Sequence, residues 1–354
     1  MTKTLSYSEI LELEYKRPHV VLLGAGSTTA TIPNGDKNGH PCSVMNGFVK
    51  NLSLEHILSK VKLLTKSDNI EDIYSELYAR GKECQEVIEE LENAIFSYFS
   101  ELELPDEITI LDKLILSLTS KDLIASFNWD PFLIQAYNRV GKITKDRPVL
   151  AFLHGNVATG FCPKCGRYGA IQRLTCDNPT CLSPLQKSHL LYPIKNKDYH
   201  LDTVIEKGWE LTKNYLSRAK ILTIFGYSAP ISDVEAVSLL KNALLEYHSA
   251  QKYNLIEIIE RPGFCKSELS NSWRNIIESV NCDYRIEDSF YKSHLSAMPR
   301  QTVQSWVNSN GWGSDKVSFL EKDDWDAIYK KVAYDDILAQ KYVDEISDLR
   351  KKEK

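Results

Sequence analysis

Four cysteines crowd into twenty residues: Cys162, Cys165, Cys176 and Cys181. The first two belong to Cys162-Pro163-Lys164-Cys165-Gly166, a knuckle that sets two thiolates three apart on a turn. Glycine lets the backbone fold around a metal there. The second pair follows after ten residues, with four residues between its members rather than two. Four thiolates suit a closed tetrahedral zinc site, structural because no position stays open for water. Clustering of this kind reads as metal rather than disulfide in a cytosolic chain. The scattered Cys42, Cys84, Cys265 and Cys282 read as small buried residues.

Other residues able to do chemistry stand at the ends of apolar runs. His19-Val20-Val21-Leu22-Leu23 ends at Gly24-Ala25-Gly26-Ser27-Thr28. Glycines at such a turn let backbone N–H groups approach a pyrophosphate, and the helix that follows adds its positive end. The strict G-x-G-x-x-G pattern fails at Thr29, and the turn alone fits any α/β protein. The run from Asp122 to Phe127 ends at Asn128-Trp129-Asp130, which by itself is an Asx turn. Val149 to Leu153 ends at His154-Gly155, and a lone histidine is more often structural than catalytic. Lys220 to Phe225 ends at Gly226-Tyr227-Ser228, and Asn254 to Glu260, with Glu260 its last residue, ends at Arg261-Pro262-Gly263. Phe127, Trp129, Phe132 and Phe152 read as core and pocket wall.

The elements must bring these ends together. Strand-like runs alternate with helical patterns, which argues for a parallel sheet. Helices are expected over residues 46–118, near 203–218 and over 232–249. Open parallel sheets bind ligands at the carboxyl ends of their strands, so the polar strand ends converge on one edge. The fold class is α/β: a Rossmann-like parallel sheet with helices on both faces, a small zinc-binding module and a helical insertion. The sheet domain starts over 1–46 and resumes over 119–160 and 201–299. The insertion spans 47–118, the zinc module 161–200, and a mixed, helical extension 300–354. Lys351 to Lys354 should fray.

Bulk composition bounds the function. The 354 residues are 43% hydrophobic and 26% charged, an ordinary globular balance. A net charge of −5 argues against nucleic-acid binding by general electrostatics. No apolar run approaches the ~18 residues of a membrane span, and Met1 to Arg17 lacks an apolar signal core. The expectation is a cytoplasmic protein without membrane partners.

Taken together, the motifs resemble the sirtuin family of NAD-consuming enzymes. Gly24-Ala25-Gly26 with Ser27 and Thr28 is similar to the family's glycine turn. Ser126-Phe127-Asn128-Trp129-Asp130 is similar to its Thr-Gln-Asn-Ile-Asp strand end. Phe152-Leu153-His154-Gly155-Asn156 resembles the Leu-His-Gly motif that carries the catalytic histidine. The knuckle follows, and Phe225-Gly226-Tyr227-Ser228 resembles the later Gly-Thr-Ser turn. The resemblance covers about 20–40, 120–200 and 220–262. It departs from the deacylases after the glycine turn, where Gly-Ile-Pro-Asp-Phe-Arg is replaced by Ile32-Pro33-Asn34-Gly35-Asp36. Phe127 replaces the motif's glutamine. With the helical insertion, the combination looks like the sirtuin-like NAD-degrading effectors of bacterial anti-phage defence.

That resemblance implies NAD+ as substrate and structural zinc as cofactor. The pyrophosphate would sit on Gly24, Ala25, Gly26, Ser27 and Thr28, with Gly226, Tyr227 and Ser228 closing on it. Glu260 would hold the adenosine ribose, and Asp36 the loop over the nicotinamide. Asn128 would orient ribose and water, with Asp130 beside the nicotinamide and His154 as general base. The products would be nicotinamide and ADP-ribose. Partners implied are further copies of the chain, a HerA-type ATPase or another sensor. The alternatives are a protein deacylase, an ADP-ribosyltransferase, and a sensor that binds NAD or ADP-ribose without turnover.

Overall fold

All five residues of β1, His19–Leu23, are buried. That is what a strand inside a sheet covered on both faces requires. The computed structural model describes residues 5–41, 47–171, 174–192, 203–230, 233–245, 255–280, 284–300 and 317–353. Further strands are β2 (Leu123–Ser126), β3 (Val149–Phe152), β4 (Thr159–Phe161), β5 (Tyr168–Ala170), β6 (Gln186–Lys187), β7 (Ile221–Phe225), β8 (Leu255–Ile259) and β9 (Tyr284–Glu287). Six of them form one sheet in the order β3-β2-β1-β7-β8-β9, every pair parallel. Counted along the chain, this is the doubly wound order 3-2-1-4-5-6, whose switch point lies between the first and fourth strands. Here those strands are β1 and β7.

Side chains alternate across the sheet, as the pleat demands. Val21, Leu23, Ile124, Phe225 and Ile259 face one apolar core. Helices α1 (Tyr7–Lys16) and α2 (Ala25–Thr31) flank β1. Between β1 and β2 come α3 (Phe48–Asn51), α4 (Glu55–Leu58), α5 (Ile70–Arg80), α6 (Gln85–Ser100) and α7 (Ile110–Leu116). Those five and α8 (Phe132–Val140) supply most of that first core. Val20, Leu22, Ala125, Ile224 and Ile258 face the second, built with α9 (Thr203–Leu216), α10 (Val234–Leu245) and α11 (Asn271–Val280). α12 (His294–Ala297) and α13 (Trp325–Lys352) complete the chain.

The main strands fall within about a residue of expectation. Three differences have physical causes. Residues 46–118 do not form unbroken helix: Ser53 takes a left-handed φ of 55°, residues 61–69 are non-helical, and Asn69 caps α5. β9 was not expected, because this edge strand begins with exposed Tyr284 and Arg285 instead of an apolar run. Lys351 lies within the last helix. α13 runs to Lys352, and the Glu353 carboxylate accepts bonds from the backbone N–H and hydroxyl of Ser8. Lys354 lies outside the described residues. No helix among them is long and apolar enough to cross a membrane.

Arg300 ties α13 to the sheet. Its side chain is 1% exposed. It donates to the Leu118 carbonyl at 3.2 Å and the Asp146 carbonyl at 3.1 Å, and pairs with the Asp146 and Asp336 carboxylates. Four acceptors in fixed directions suit a planar guanidinium and not an ammonium. Arg300→Ala should cost about 2–3 kcal/mol of stability, given the usual worth of charge-assisted hydrogen bonds. Arg300→Lys should recover less than half of that in chemical denaturation. Full rescue by lysine would show that charge alone matters.

Candidate functional site

The knuckle sits on a three-stranded antiparallel sheet, β5-β4-β6, that leaves β3 and returns to it. Cys162 directly follows β4. Its carbonyl accepts from Gly166 N–H at 2.9 Å, closing the turn. The four sulfurs lie within 4.8 Å of one another. The Cys162–Cys181 and Cys165–Cys176 separations are 3.5 and 3.3 Å. A tetrahedron with ~2.3 Å Zn–S bonds has edges of ~3.8 Å, so the donor set fits zinc. Cys84 is buried as expected, but Cys265 is exposed, because it stands on a surface turn after β8. Cys42 and Cys282 lie outside the described residues.

The segment returning from the module fixes His154. Leu191 N–H donates to the His154 carbonyl at 2.9 Å. Gly155 has φ +78°, and a Cβ there would lie 2.0 Å from the His189 carbonyl oxygen. From the other side, Trp209 Nε1 donates to the Leu153 carbonyl at 3.1 Å. The histidine's ring stands edge-on to Phe127, 4.9 Å away, and Phe127 stacks on Tyr227 at 3.9 Å.

At the switch point the two glycine turns touch backbone to backbone. Gly226 has φ +66°, and a Cβ there would fall 2.4 Å from the Ser27 nitrogen. Gly24 N–H donates to the Phe225 carbonyl and Gly26 N–H to the Gly226 carbonyl, both at 3.0 Å. Ser27 N–H is taken by the Gly24 carbonyl at 2.9 Å. These amides therefore bond within the protein, not toward a pyrophosphate as the sequence had suggested.

Asn128 reads the same turn from β2. Its Nδ2 donates to the Gly24 carbonyl (3.0 Å), Ser27 Oγ (3.2 Å) and Thr28 Oγ1 (2.9 Å). The Thr28 hydroxyl in turn donates a hydrogen bond to Asp130 Oδ2 at 2.7 Å. Asp130 Oδ1 accepts from Phe132 N–H at the head of α8. Asn156 Nδ2 donates to the carbonyls of Asn128 and Asp130, linking the ends of β2 and β3. Burial pushes the Asp130 carboxyl up to about 6, against its Thr28 and Phe132 donors.

These groups line a cavity of about 190 Å³. Gly24, Ala25, Thr28, Asn128, Asp130, His154, Gly226, Tyr227 and Ser228 all border it. Four predicted site residues do not. Gly26 and Ser27 lie behind the turn. Asp36 is spent on its own loop: burial would raise its carboxyl, but N–H donors from Glu103, His40 and Asn38 hold it below its ordinary value. It thus fastens the loop to the end of α6 rather than covering the cavity. Glu260, half-buried at the end of β8, also lies outside the wall. Sequence reasoning missed Phe48, Glu71 and Phe99 from the insertion, and Leu191, Pro230 and Asp233. The aromatics look like helical core positions, and nothing local marks them as wall.

No family model matches the chain, and no curated protein is similar to it. Solved structures do match, all at low identity. One, from work on the mechanism and regulation of Sir2 enzymes, is 13% identical, with TM-score 0.36 over 77% of this chain and 96% of that one. A Sir2–p53 peptide–NAD+ complex is 15% identical, with TM-score 0.32 over 78% and 99%. Sir2Tm bound to a propionylated peptide is 15% identical, with TM-score 0.29 over 78% and 99%. At that superposition the likeness says nothing about what the cavity binds.

Two measurements test this description. Cys162→Ser or chelation should release the metal and lower the melting temperature. A folded, stable protein without zinc would remove the metal from the structure. Asp130 loses its proton near 3.8 when unfolded and near 6 when folded. Stability from this group is present below pH 4, falls as pH rises to 6, and is flat above. The loss is about 3 kcal/mol. Asp130→Asn should therefore raise the melting temperature at pH 7.5 and flatten its slope between pH 4 and 6. A lower melting temperature at both pH values would show the carboxylate to be stabilising.

Proposed function

We propose that this chain is an NAD+ glycohydrolase, cleaving NAD+ and water to nicotinamide, ADP-ribose and a proton. The observation that carries the reading is the convergence of Asn128, Asp130 and His154, from the ends of adjacent strands, on one cavity at the β1–β7 switch point. Ligands of doubly wound sheets bind at that place. The order of the strand-end motifs supports it independently.

The nicotinamide–ribose bond breaks toward an oxocarbenium-like state. The leaving group is already cationic and departs neutral, so it needs no acid. Catalysis then requires an oriented ribose and a placed water. Asn128 is held at three points and can orient both. His154 takes the proton from water as it attacks the anomeric carbon. Asp130 supplies a buried negative charge close to where positive charge develops on the ribose. The cavity is smaller than the ~300–1,000 Å³ of common ligand sites, so it suits the nicotinamide end alone. The adenosine half would lie outside, along Ser228 and toward Glu260.

Phe48, Glu71 and Phe99 favour water over acyl-lysine as the nucleophile, because insertion side chains take up a wall of the chamber. The missing Gly-Ile-Pro-Asp-Phe-Arg segment points the same way. In the cell the reaction would deplete NAD+ as an effector of anti-phage defence, in a homo-oligomer or with a sensor partner.

Chromatography of NAD+ incubated with the protein, with and without an acetyl-lysine peptide, tests the reading. Nicotinamide and ADP-ribose should form without peptide. His154→Ala should lower kcat about 10²–10⁴-fold while NAD+ still binds. Product only with peptide, as O-acetyl-ADP-ribose, would make the protein a deacylase.

A further inference from the structure

Three consecutive residues of α9 hold three different parts of the molecule. Lys207 Nζ donates to the Gly166 carbonyl at 2.5 Å. Gly166 is the residue whose N–H closes the knuckle on the Cys162 carbonyl. Gly208 lies against β3, where a Cβ would come within 3.1 Å of the Phe152 carbonyl oxygen. Glycine inside a helix is unfavourable, and here its lack of a side chain lets α9 close on the strand. Trp209 is 3% exposed and donates from Nε1 to the Leu153 carbonyl at 3.1 Å. One turn of one helix thus fastens the knuckle, β3 and the peptide that precedes His154.

The Trp209 bond bears on where the His154 side chain points. The Leu153 carbonyl belongs to the peptide plane on the amino side of His154. The His154 carbonyl, which accepts from Leu191 N–H at 2.9 Å, belongs to the plane on the other side. A residue has only two soft backbone dihedrals, so fixing both planes fixes the direction of its Cβ. Trp209 supports the ring as well. Its indole meets Phe127 at 6.0 Å and 65°, and Phe127 meets the His154 ring at 4.9 Å and 76°. Phe127 and His154 border the cavity, and Trp209 does not. Its effect on the site therefore passes through those two residues.

We propose that Trp209 is a positioning residue for His154, and that Lys207 anchors it to the knuckle, so that zinc occupancy sets where the His154 imidazole stands. A filled knuckle holds the Gly166 carbonyl in one place, and the Lys207 ammonium hands that constraint to α9. Groups that do chemistry must be held within about 0.5 Å of their working geometry by such supports. The effect on rate rests on the reading that His154 takes a proton from water. The displacement of the ring does not.

NMR of the zinc-loaded full chain with labelled histidines, followed through a pH titration, tests this without turnover. His154→Ala assigns the resonances. Trp209→Phe keeps a ring and removes the N–H. It should move the His154 resonances and their titration midpoint, and lower kcat about tenfold at nearly constant KM for NAD+. Lys207→Met should move the same resonances in the same direction, and Lys207→Arg should restore them. Chelation of zinc should displace them in the wild type, and by less than half as much in Trp209→Phe. Arg300→Ala, which loosens α13 near the starts of β2 and β3, controls for lost stability and should leave them in place. Resonances unmoved in Trp209→Phe, or moved equally by Arg300→Ala, would overturn the positioning role. A response to Trp209→Phe with none to Lys207→Met would overturn the link to the knuckle. Should Trp209→Phe not fold, the contrast between Lys207→Met and Lys207→Arg decides, and equal spectra of the two would refute the proposal. Displaced resonances in a protein that does not cleave NAD+ would uphold this inference and remove the glycohydrolase reading.

Discussion

Two backbones that touch with nothing between them set the terms for the whole site. At the switch point, chain connections leave β1 and β7 on opposite sides of the sheet, and a crevice opens. Gly24 and Gly226 close its floor. A Cβ on Gly24 would sit 2.5 Å from the Gly226 carbonyl oxygen. Side chains are therefore excluded, and the amides of Gly24 and Gly26 are consumed in holding the two turns together. The Gly24 and Gly26 amides are thus spent within the floor, and Asn128, Asp130 and His154 stand around it.

Those side chains are fixed before any ligand arrives. Asn128, Thr28, Asp130 and Asn156 form a continuous run of hydrogen bonds across the ends of β1, β2 and β3. Each group has its direction set by a neighbour, which is the condition for a site of fixed geometry. His154 is held differently, by backbone. The chain returning from the zinc module passes so close that only glycine fits at position 155. The knuckle is thus joined to His154 by a short path. A metal far from the cavity can matter to it by keeping that return in place.

Much of this was legible in the sequence, for identifiable reasons. Buried parallel strands are unbroken apolar runs, so β1, β2, β3, β7 and β8 announced themselves. Strand ends carry the polar residues, so Asn128, Asp130 and His154 could be named before their distances were known. The knuckle is a matter of spacing alone. What stayed hidden depends on contacts between distant segments. The glycines looked like phosphate donors because the partner turn, two hundred residues on, is invisible locally. Asp36 looked like a loop latch, and it is one, but toward Glu103 rather than the cavity. Phe48 and Phe99 follow the helical period of any core residue, and β9 carries only Tyr284 and Ile286 on its apolar face, too short a pattern to reveal it.

The insertion is the last link. It enters the chain between β1 and β2, after α2 and the Asp36 loop. Phe48, Glu71 and Phe99 nevertheless border the crevice, at the edge where loops of open α/β sheets carry function. Its apolar residues join the core beneath, which holds it down. Its few remaining contacts with the cavity are therefore placed with the rigidity of core residues. A buried acid such as Asp130 costs stability in an empty chamber. Asp130 bears that cost because the Thr28 hydroxyl and the Phe132 N–H bond to its carboxylate, so the bonds that fix its direction also offset its burial.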